Sequence, residues 1–431
     1  MTVNEAWDKI FKKYDILNKI QRDGAFYITA NQIKEFKEPR LMAKWDSSEN
    51  IPSIFRKHNI NILPVSRTGY VLSDFKLYES IPELGEHVTE MQKVEIPEYE
   101  SIDIENISSE SNAINVLMLS RILDDFLSED DNVATFNGRM GTGIFSFNVD
   151  RYRGSPIKID VENAQCEIDG GMENNGSVVI LEAKNVVHPD FHVRQLYYPY
   201  RLWSNKVKKP IRLVFSIYSN QIYRLFEYKF EDKMNYSSIK LVKMKNYSLQ
   251  DTEINLNELY DVYKNVSIIY DDDRRNTNTP FIQANSFERI ISLMEILQEE
   301  EKTVEQIADI MQFKVRQSNY YYNAGKYLGL FEKKYVKEEE KNIKKISLTR
   351  LGKKILKLKY KERQLKLVHL ILEHDIFNKL FIKAYQTGEI PLKEEIKDIM
   401  VKNNVCNSGQ IDRRASSVHS WIKWIFNLKN I

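Results

Sequence analysis

The chain has 431 residues, of which 42% are hydrophobic and 11% aromatic, a composition that fits a folded, soluble protein of two to four domains. Its two cysteines, Cys166 and Cys406, match no zinc spacing, and with no long apolar run and no basic-plus-apolar leader the expectation is a reducing, cytoplasmic setting without disulfides, membrane span or signal peptide. Net charge is only +2, yet residues 281–431 hold 28 Lys+Arg against 19 Asp+Glu, and a basic C-terminal third on a mildly acidic body points to a polyanion, nucleic acid first, with a lysine-rich solvated face as the plainer alternative.

Residues 1–80 read as a small mixed α/β unit. Trp7, Ile10, Phe11, Tyr14 and Leu17 have helical spacing, a second helix starts near Thr29, and a strand is expected at Tyr70 to Phe75. A small winged helix-turn-helix would fit, with Arg40, Lys44, Arg56 and Arg67 as phosphate contacts or as ordinary surface charge. Residues 81–110 are rich in Pro, Glu and Ser and read as a linker. Residues 111–280 then read as a mixed α/β sheet domain. It has an amphipathic helix at Ser111 to Leu127 and strands at Val133 to Phe136 and Gly143 to Val149 flanking Asn137 to Gly141. A further helix over Asp190 to Asn205 should be kinked by Pro199, and strands are expected at Ile211 to Tyr218 and Gln221 to Phe230. The polar run Asp271 to Pro280 marks a boundary.

From Ser286 the apolar period becomes helical. Phe287 to Glu299, a helix opened by the Thr303/Gln306 capping box, and Phe313 to Leu330 give three helices. With a basic wing at Lys341 to Arg350 they describe a winged helix-turn-helix over 281–360, whose third helix commonly enters the major groove. Arg316, Gln317, Asn319, Tyr320, Asn323 and Lys326 are of the types that read base edges or hold phosphates; Tyr321, Ala324 and Leu328 should face the core. The run Lys341 to Lys366 holds eleven Lys+Arg and one Glu. A second such unit is expected over 361–431. Its last helix, Ser408 to Phe426, offers Arg413, Arg414, Ser416, Ser417, Ser420 and Lys423 to DNA, with Trp421 and Trp424 in the core.

The chemistry is expected at QCEIDGGMENNGSVVILEAK, residues 165–184. A strand from Gln165 to Asp169 ends at Gly170-Gly171, and a second, Val178 to Leu181, closes on Glu182-Ala183-Lys184. Alternation sends Glu182 and Lys184 to one side; pairing of the two strands would bring Asp169 beside them. Two hard carboxylates, with the Ala183 carbonyl as a third donor, suit Mg²⁺, for which Mn²⁺ substitutes, and a bound water of lowered pKa. Lys184 would offset charge in the transition state. Glu-x-Lys alone is common by chance in so charged a chain; the hairpin, the apolar approach to Glu182 and the helix after it set this one apart. Glu167, on the face of Asp169, and Glu162 are further candidate acids. Arg194, Gln195 and Arg201 on the following helix would hold a phosphate or order the site. His188 and His192 offer a histidine-metal alternative. No phosphate-binding Gly-rich loop is present, so no nucleotide cofactor is expected.

EIDGG…VVILEAKN followed by RQLYYPYRLW resembles the PD-(D/E)xK nuclease superfamily, in particular type II restriction endonucleases, over roughly residues 111–230. The resemblance implies a central mixed sheet flanked by helices, Asp169 and Glu182 as metal ligands, and Lys184 as the catalytic lysine. The residue before Asp169 is Ile168 where the superfamily often has proline. In relatives with a Gln-x-x-x-Tyr motif the tyrosine falls where Pro199 follows Gln195. The implied function is Mg²⁺-dependent, site-specific cleavage of unmethylated double-stranded DNA in a prokaryotic cytoplasm. A palindromic target would suggest a two-fold homodimer, with a monomer nicking or cutting serially as the alternative. The alternatives are a non-catalytic DNA-binding regulator on tandem winged helices and a structure-specific repair nuclease of the same superfamily.

Overall fold

The structure, a computed structural model, describes residues 1–84, 87–91, 99–104, 107, 109–269, 279–338, 341–403 and 405–430. At the N-terminus, Thr2 and Glu5 cap the Val3–Tyr14 helix reciprocally, and its apolar stripe meets Trp45 and Phe55 in an edge-to-face aromatic cluster around Trp7. This body rests on an antiparallel sheet of β1 (Phe26–Thr29), β2 (Asn61–Pro64) and β3 (Gly69–Ser73) in the order β1-β3-β2. The helix expected at Thr29 forms behind a Thr29/Gln32 capping box but is short, Ala30–Lys34. A second short helix, Pro39–Ala43, follows it.

Several described residues of the segment expected as a linker are tied down. β4 (Tyr78–Ser80) lies just before it, and β5 (Val88–Glu90) lies inside it. Composition alone reads such a stretch as free chain, but partners exist elsewhere: Arg224 donates to the Pro82 carbonyl, and Met91 N–H to the Ser248 carbonyl at 3.0 Å.

The centre is a mixed sheet of seven strands in the order β5-β14-β13-β12-β10-β9-β6. They are β6 (Val133–Gly141), β9 (Gln165–Glu173), β10 (Val178–Lys184), β12 (Ile211–Ser219), β13 (Ile222–Phe230) and β14 (Ile239–Ser248), with β5 at the edge. β10 runs parallel to β12 and β5 to β14; the other pairs are antiparallel. β7 (Ile144–Val149) and β8 (Ile157–Glu162) form a separate hairpin inserted between β6 and β9, and β11 (Asp190–His192) pairs with β4. Because β10 is buried on both faces, its Val178 to Leu181 stretch reads as an unbroken apolar run up to Glu182. Val179, Leu181 and Ala183 face helices Glu110–Leu119 and Ile122–Leu127. Ile180 and its same-side neighbours face the Arg194–Trp203 helix, which crosses from β10 to β12.

Several elements differ from their sequence reading. The first helix of this domain breaks at Arg121, which is left-handed at φ 54°, and both halves still bury their apolar side chains in one cluster. Asn137 to Gly141 continues β6 through two register shifts and is not a connection. β9 does not stop at the glycines but runs through them, because the Phe136 ring of β6 occupies the space a Gly171 side chain would need. The Arg194–Trp203 helix runs through Pro199 uninterrupted. β14 lies in a stretch for which no strand was expected, and most of the polar run expected as a boundary, residues 271–278, is outside the described residues.

Among the described residues the C-terminal body is helical apart from one hairpin. Helices Phe287–Glu299, Val304–Ile310 and Val315–Tyr327 lead to β15 (Phe331–Glu338) and β16 (Lys341–Leu348), and the Thr303/Gln306 capping box is present. Helices Arg350–Leu356, Tyr360–Leu372, Asp375–Thr387, Lys393–Lys402 and Ile411–Asn427 follow. One buried cluster runs from Phe281 to Leu428, and the division expected at residue 360 falls inside it. Ile222, Ile254 and Leu259 belong to the same cluster, so the sheet domain and the helical body are packed as neighbours. No helix among the described residues is long and apolar enough to cross a membrane.

Candidate active site

The β9–β10 hairpin sets the site. Register pairs Gly170 with Leu181, which brings the Asp169 carboxylate against the next peptide of β10, where its Oδ2 accepts the Ala183 N–H at 2.9 Å. Glu182 and Lys184 leave β10 on the same side, and the Lys184 ammonium donates to Glu182 Oε1 at 2.6 Å. Gln195, the second residue of the crossing helix, donates to the same oxygen at 2.5 Å. The three residues of the motif and Gln195 therefore meet at one end of the hairpin. They lie in a cavity of about 960 Å³ walled by the N-terminal body, the sheet and the helical body.

Two acids that the sequence reading missed belong to the same cavity: Glu110, at the start of its helix behind the Ser109 cap, and Asp46 of the N-terminal body. Burial pushes the Glu182 carboxyl up to about 8; Lys184 opposes this, and the charges of Asp169 and Asp46 add to it. Burial likewise raises Glu110, against Lys184 and with Asp169 and Asp46. Burial acts against the Lys184 ammonium, but Glu182, Glu110, Asp169 and Asp46 outweigh it and hold its pKa above the lysine range. These shifts share one origin. Four carboxyl groups act electrostatically on one ammonium, and the surplus negative charge favours a proton or a cation in the cavity. Glu110 left a trace in the sequence as an acid in the first turn of an amphipathic helix. Asp46 left none, since only tertiary packing brings it here; its carbonyl accepts the His192 N–H at 2.9 Å.

The donor set suits a hard divalent ion. Among the described residues no three His, Cys, Asp or Glu side chains are grouped closely enough to hold one ion. Mg²⁺ commonly binds through one or two carboxylates and several waters; Asp169 and Glu182 are the two carboxylates here, and the Ala183 carbonyl directly follows Glu182 in the chain.

Three family descriptions match the chain, each a domain of unknown function: DUF6996 over residues 4–72, DUF6997 over 73–248 and DUF7226 over 289–430. No curated protein and no solved structure matches it. The middle match contains Asp169, Glu182, Lys184 and Gln195; the residues facing them across the cavity, Asp46 and Asp309 among them, fall within the other two matches.

The remaining candidates divide by position. Glu167 lines the cavity and pairs with Arg139 at 3.2 Å. Glu162 does not reach it: it is on β8, and its N–H donates to the Val65 carbonyl at 2.8 Å. Arg194 lines the cavity. Arg201 is 4% exposed, donates to the Ser146 carbonyl and the Tyr197 hydroxyl, both at 2.9 Å, and lies over Phe145; it is a core residue and not a phosphate ligand. His192 is buried between Tyr78 and Tyr236, and burial lowers its pKa far below the usual value, so it is neutral. His188 lines the same cavity, near enough to Lys184 for its charge to act on the ring, and burial keeps it neutral.

In the helical body, Arg316 and Arg413 are exposed, and Asn319, Asn323 and Lys326 half-buried. Gln317, Tyr320, Ser420 and Lys423 line a second cavity of about 830 Å³ between this body and the sheet. Gln317 also accepts the Lys314 N–H at 3.0 Å, and Lys423 pairs with Glu83 at 3.2 Å. Ser416 donates back to the Asp412 carbonyl at 3.3 Å. Two expectations need correction. Arg414 is buried and donates to the Phe281 carbonyl at 2.6 Å, and Ser417 is buried and donates to Asn285 at 2.6 Å. Their polar atoms are committed inside the domain, not offered to DNA.

Proposed function

We propose that this protein is a Mg²⁺-dependent, sequence-specific endonuclease of double-stranded DNA, of restriction type, acting in a prokaryotic cytoplasm. The observation that carries the reading is the hairpin end: Glu182 and Lys184 in contact, Asp169 held against the peptide between them, and Gln195 on the same carboxylate. Its surroundings support it. The order helix, β6, β9, β10, crossing helix, β12, with β12 parallel to β10, fits the central mixed sheet flanked by helices that this reading requires. We read helices 287–299, 304–310 and 315–327 with the β15–β16 hairpin as a winged helix-turn-helix. Arg316 is at its exposed leading turn, and Lys333, Lys334 and Lys344 are on the wing.

Asp169, Glu182 and the Ala183 carbonyl would hold the metal ion, which when bound supplies a polarised phosphate and a water of lowered pKa. Gln195 fixes the orientation of Glu182 through its 2.5 Å bond. Lys184 places a permanent positive charge where a pentavalent phosphate gathers negative charge, and burial strengthens that interaction. Arg194 stands at the wall to hold the neighbouring phosphate.

The test is incubation of the purified chain with unmethylated genomic DNA and Mg²⁺ or Mn²⁺. Discrete fragments are expected. Lys184→Ala should lower the single-turnover rate about a hundredfold or more while DNA binding persists. Intact DNA with every divalent ion tried would overturn the reading, and full activity in the variant would mean that the site is misplaced.

A further inference from the structure

The N-terminal body contributes more than Asp46 to the cavity. The Ala30–Lys34 helix, the Pro39–Ala43 helix with its following residue, and the turn after β2 present Lys34, Arg40, Lys44 and Arg67 along one wall. All four are exposed. None is joined to an acid by an ion pair among the described residues, whereas Arg56 of the same body is turned away onto the Glu49 carbonyl at 2.7 Å. A fold that only needed these side chains for solubility would have no reason to gather them here. The wall faces the catalytic hairpin at short range. Lys44 acts electrostatically on Glu110, Arg194 on Tyr70 of β3, and an Arg67 guanidinium nitrogen is 4.0 Å from where a Gly141 side chain would begin, across the gap on β6.

We infer that this wall is the surface that grips the DNA backbone beside the scissile bond, so that the active site is built from two bodies that match two separate families. The inference rests on the nuclease reading for its substrate. The charge pattern identifies the occupant. Acids at the floor, Glu182 buried among them, suit a metal ion; unpaired cations at the wall suit successive phosphates of a strand lying over that ion. Arg40 and Arg67 can each take a phosphate through two N–H groups, and Lys34 and Lys44 act as point charges.

Binding of a labelled duplex, measured by anisotropy in EDTA over a salt series, separates the inference from the cleavage reading. A combined variant carries Lys34→Gln, Arg40→Gln, Lys44→Gln and Arg67→Gln. The control carries Lys9→Gln, Lys12→Gln, Arg22→Gln and Lys57→Gln, exposed cations of the same body outside the cavity. Each lost phosphate contact lowers the slope of log K against log salt by about 0.9, so the wall variant should lose about 3 to 4 and the control less than about 1. Unchanged far-ultraviolet circular dichroism confirms that both are folded. Equal slopes in the two variants, or a wild-type chain that binds no duplex, overturn the inference. A wild-type chain that binds with the expected slope but never cuts overturns the nuclease reading alone.

Discussion

His188 is 7% exposed, with its Nδ1 buried and without a hydrogen-bond partner, and burial together with the nearby Arg289 and Lys184 charges lowers its pKa to about 3. In the unfolded chain the same ring titrates near 6.5. The folded state therefore holds fewer protons between pH 6.5 and 3, and His188 contributes stability that is complete above about 6.5 and is lost as pH falls below it. At pH 5 the loss amounts to about 2 kcal/mol from this residue. Urea unfolding at pH 7 and pH 5 checks it: His188→Gln should lose about 2 kcal/mol less than wild type between the two, and equal losses would remove His188 from the account. The ring marks what sequence shows at this scale. Asp169, Glu182 and Lys184 were legible because strand alternation and a hairpin relate near neighbours in the chain. His188, Asp46 and Glu110 acquired their settings from distant segments, which no local pattern records. Arg414 misled for the same reason: the strip of its helix that holds Arg414 and Ser417 is covered by the distant stretch around Phe281 and Asn285, whose Phe281 carbonyl accepts from the guanidinium.

At the level of elements, the crossing helix is held in place by a three-part stack. The Phe136 ring lies over Gly171 and stacks on Trp203 at 3.7 Å, and Trp203 is the last residue of the helix that carries Gln195. A side-chain carbon at Gly171 would come within 2.2 Å of Phe136, so the ring must move and Trp203 with it. Gly171→Ala is expected to destabilise by about 1–3 kcal/mol and to slow cleavage by shifting Gln195. Phe136→Leu in the same chain should recover part of the stability without restoring the stack. Thermal unfolding and single-turnover rates separate the two; a Gly171→Ala chain as stable as wild type would show that Phe136 moves freely. A glycine pair usually announces a turn, which is why the strand appeared to end there. The opposite reading, that a neighbour's ring requires the glycine, becomes available only once β6 is known to lie alongside. The long strands β12 and β13 were legible from their apolar runs, and the turn between them from Ser219-Asn220. β5 was not, since its few residues gain strand structure from β14 alone.

The three bodies are joined by polar contacts as well as by apolar packing, and this decides how the molecule should unfold. Glu295 of the helical body accepts the Asn220 N–H and the Ser219 hydroxyl, both at 2.9 Å, at the β12–β13 turn of the sheet. Arg363, 2% exposed, faces the same carboxylate at 3.5 Å, and Gln364 donates to the Asn220 side chain at 2.8 Å. Arg289 bridges further, to Glu49 of the N-terminal body at 2.6 Å and to the Val187 carbonyl just past Lys184 at 3.1 Å. β12 is the parallel neighbour of β10, so the helical body is anchored one strand away from the catalytic carboxylates. Glu295→Ala would leave Arg363 buried without its counter-charge and two turn donors without an acceptor, a loss of about 3–5 kcal/mol when only one partner of a buried pair is removed. Calorimetry of the wild-type chain should then show the sheet domain and helical body melting together. The variant should show the helical body separating at lower temperature. High salt should not imitate the variant, because the pair is shielded from solvent. Two independent transitions already present in wild type would mean that the shared cluster and this clamp do not bind the bodies into one cooperative unit.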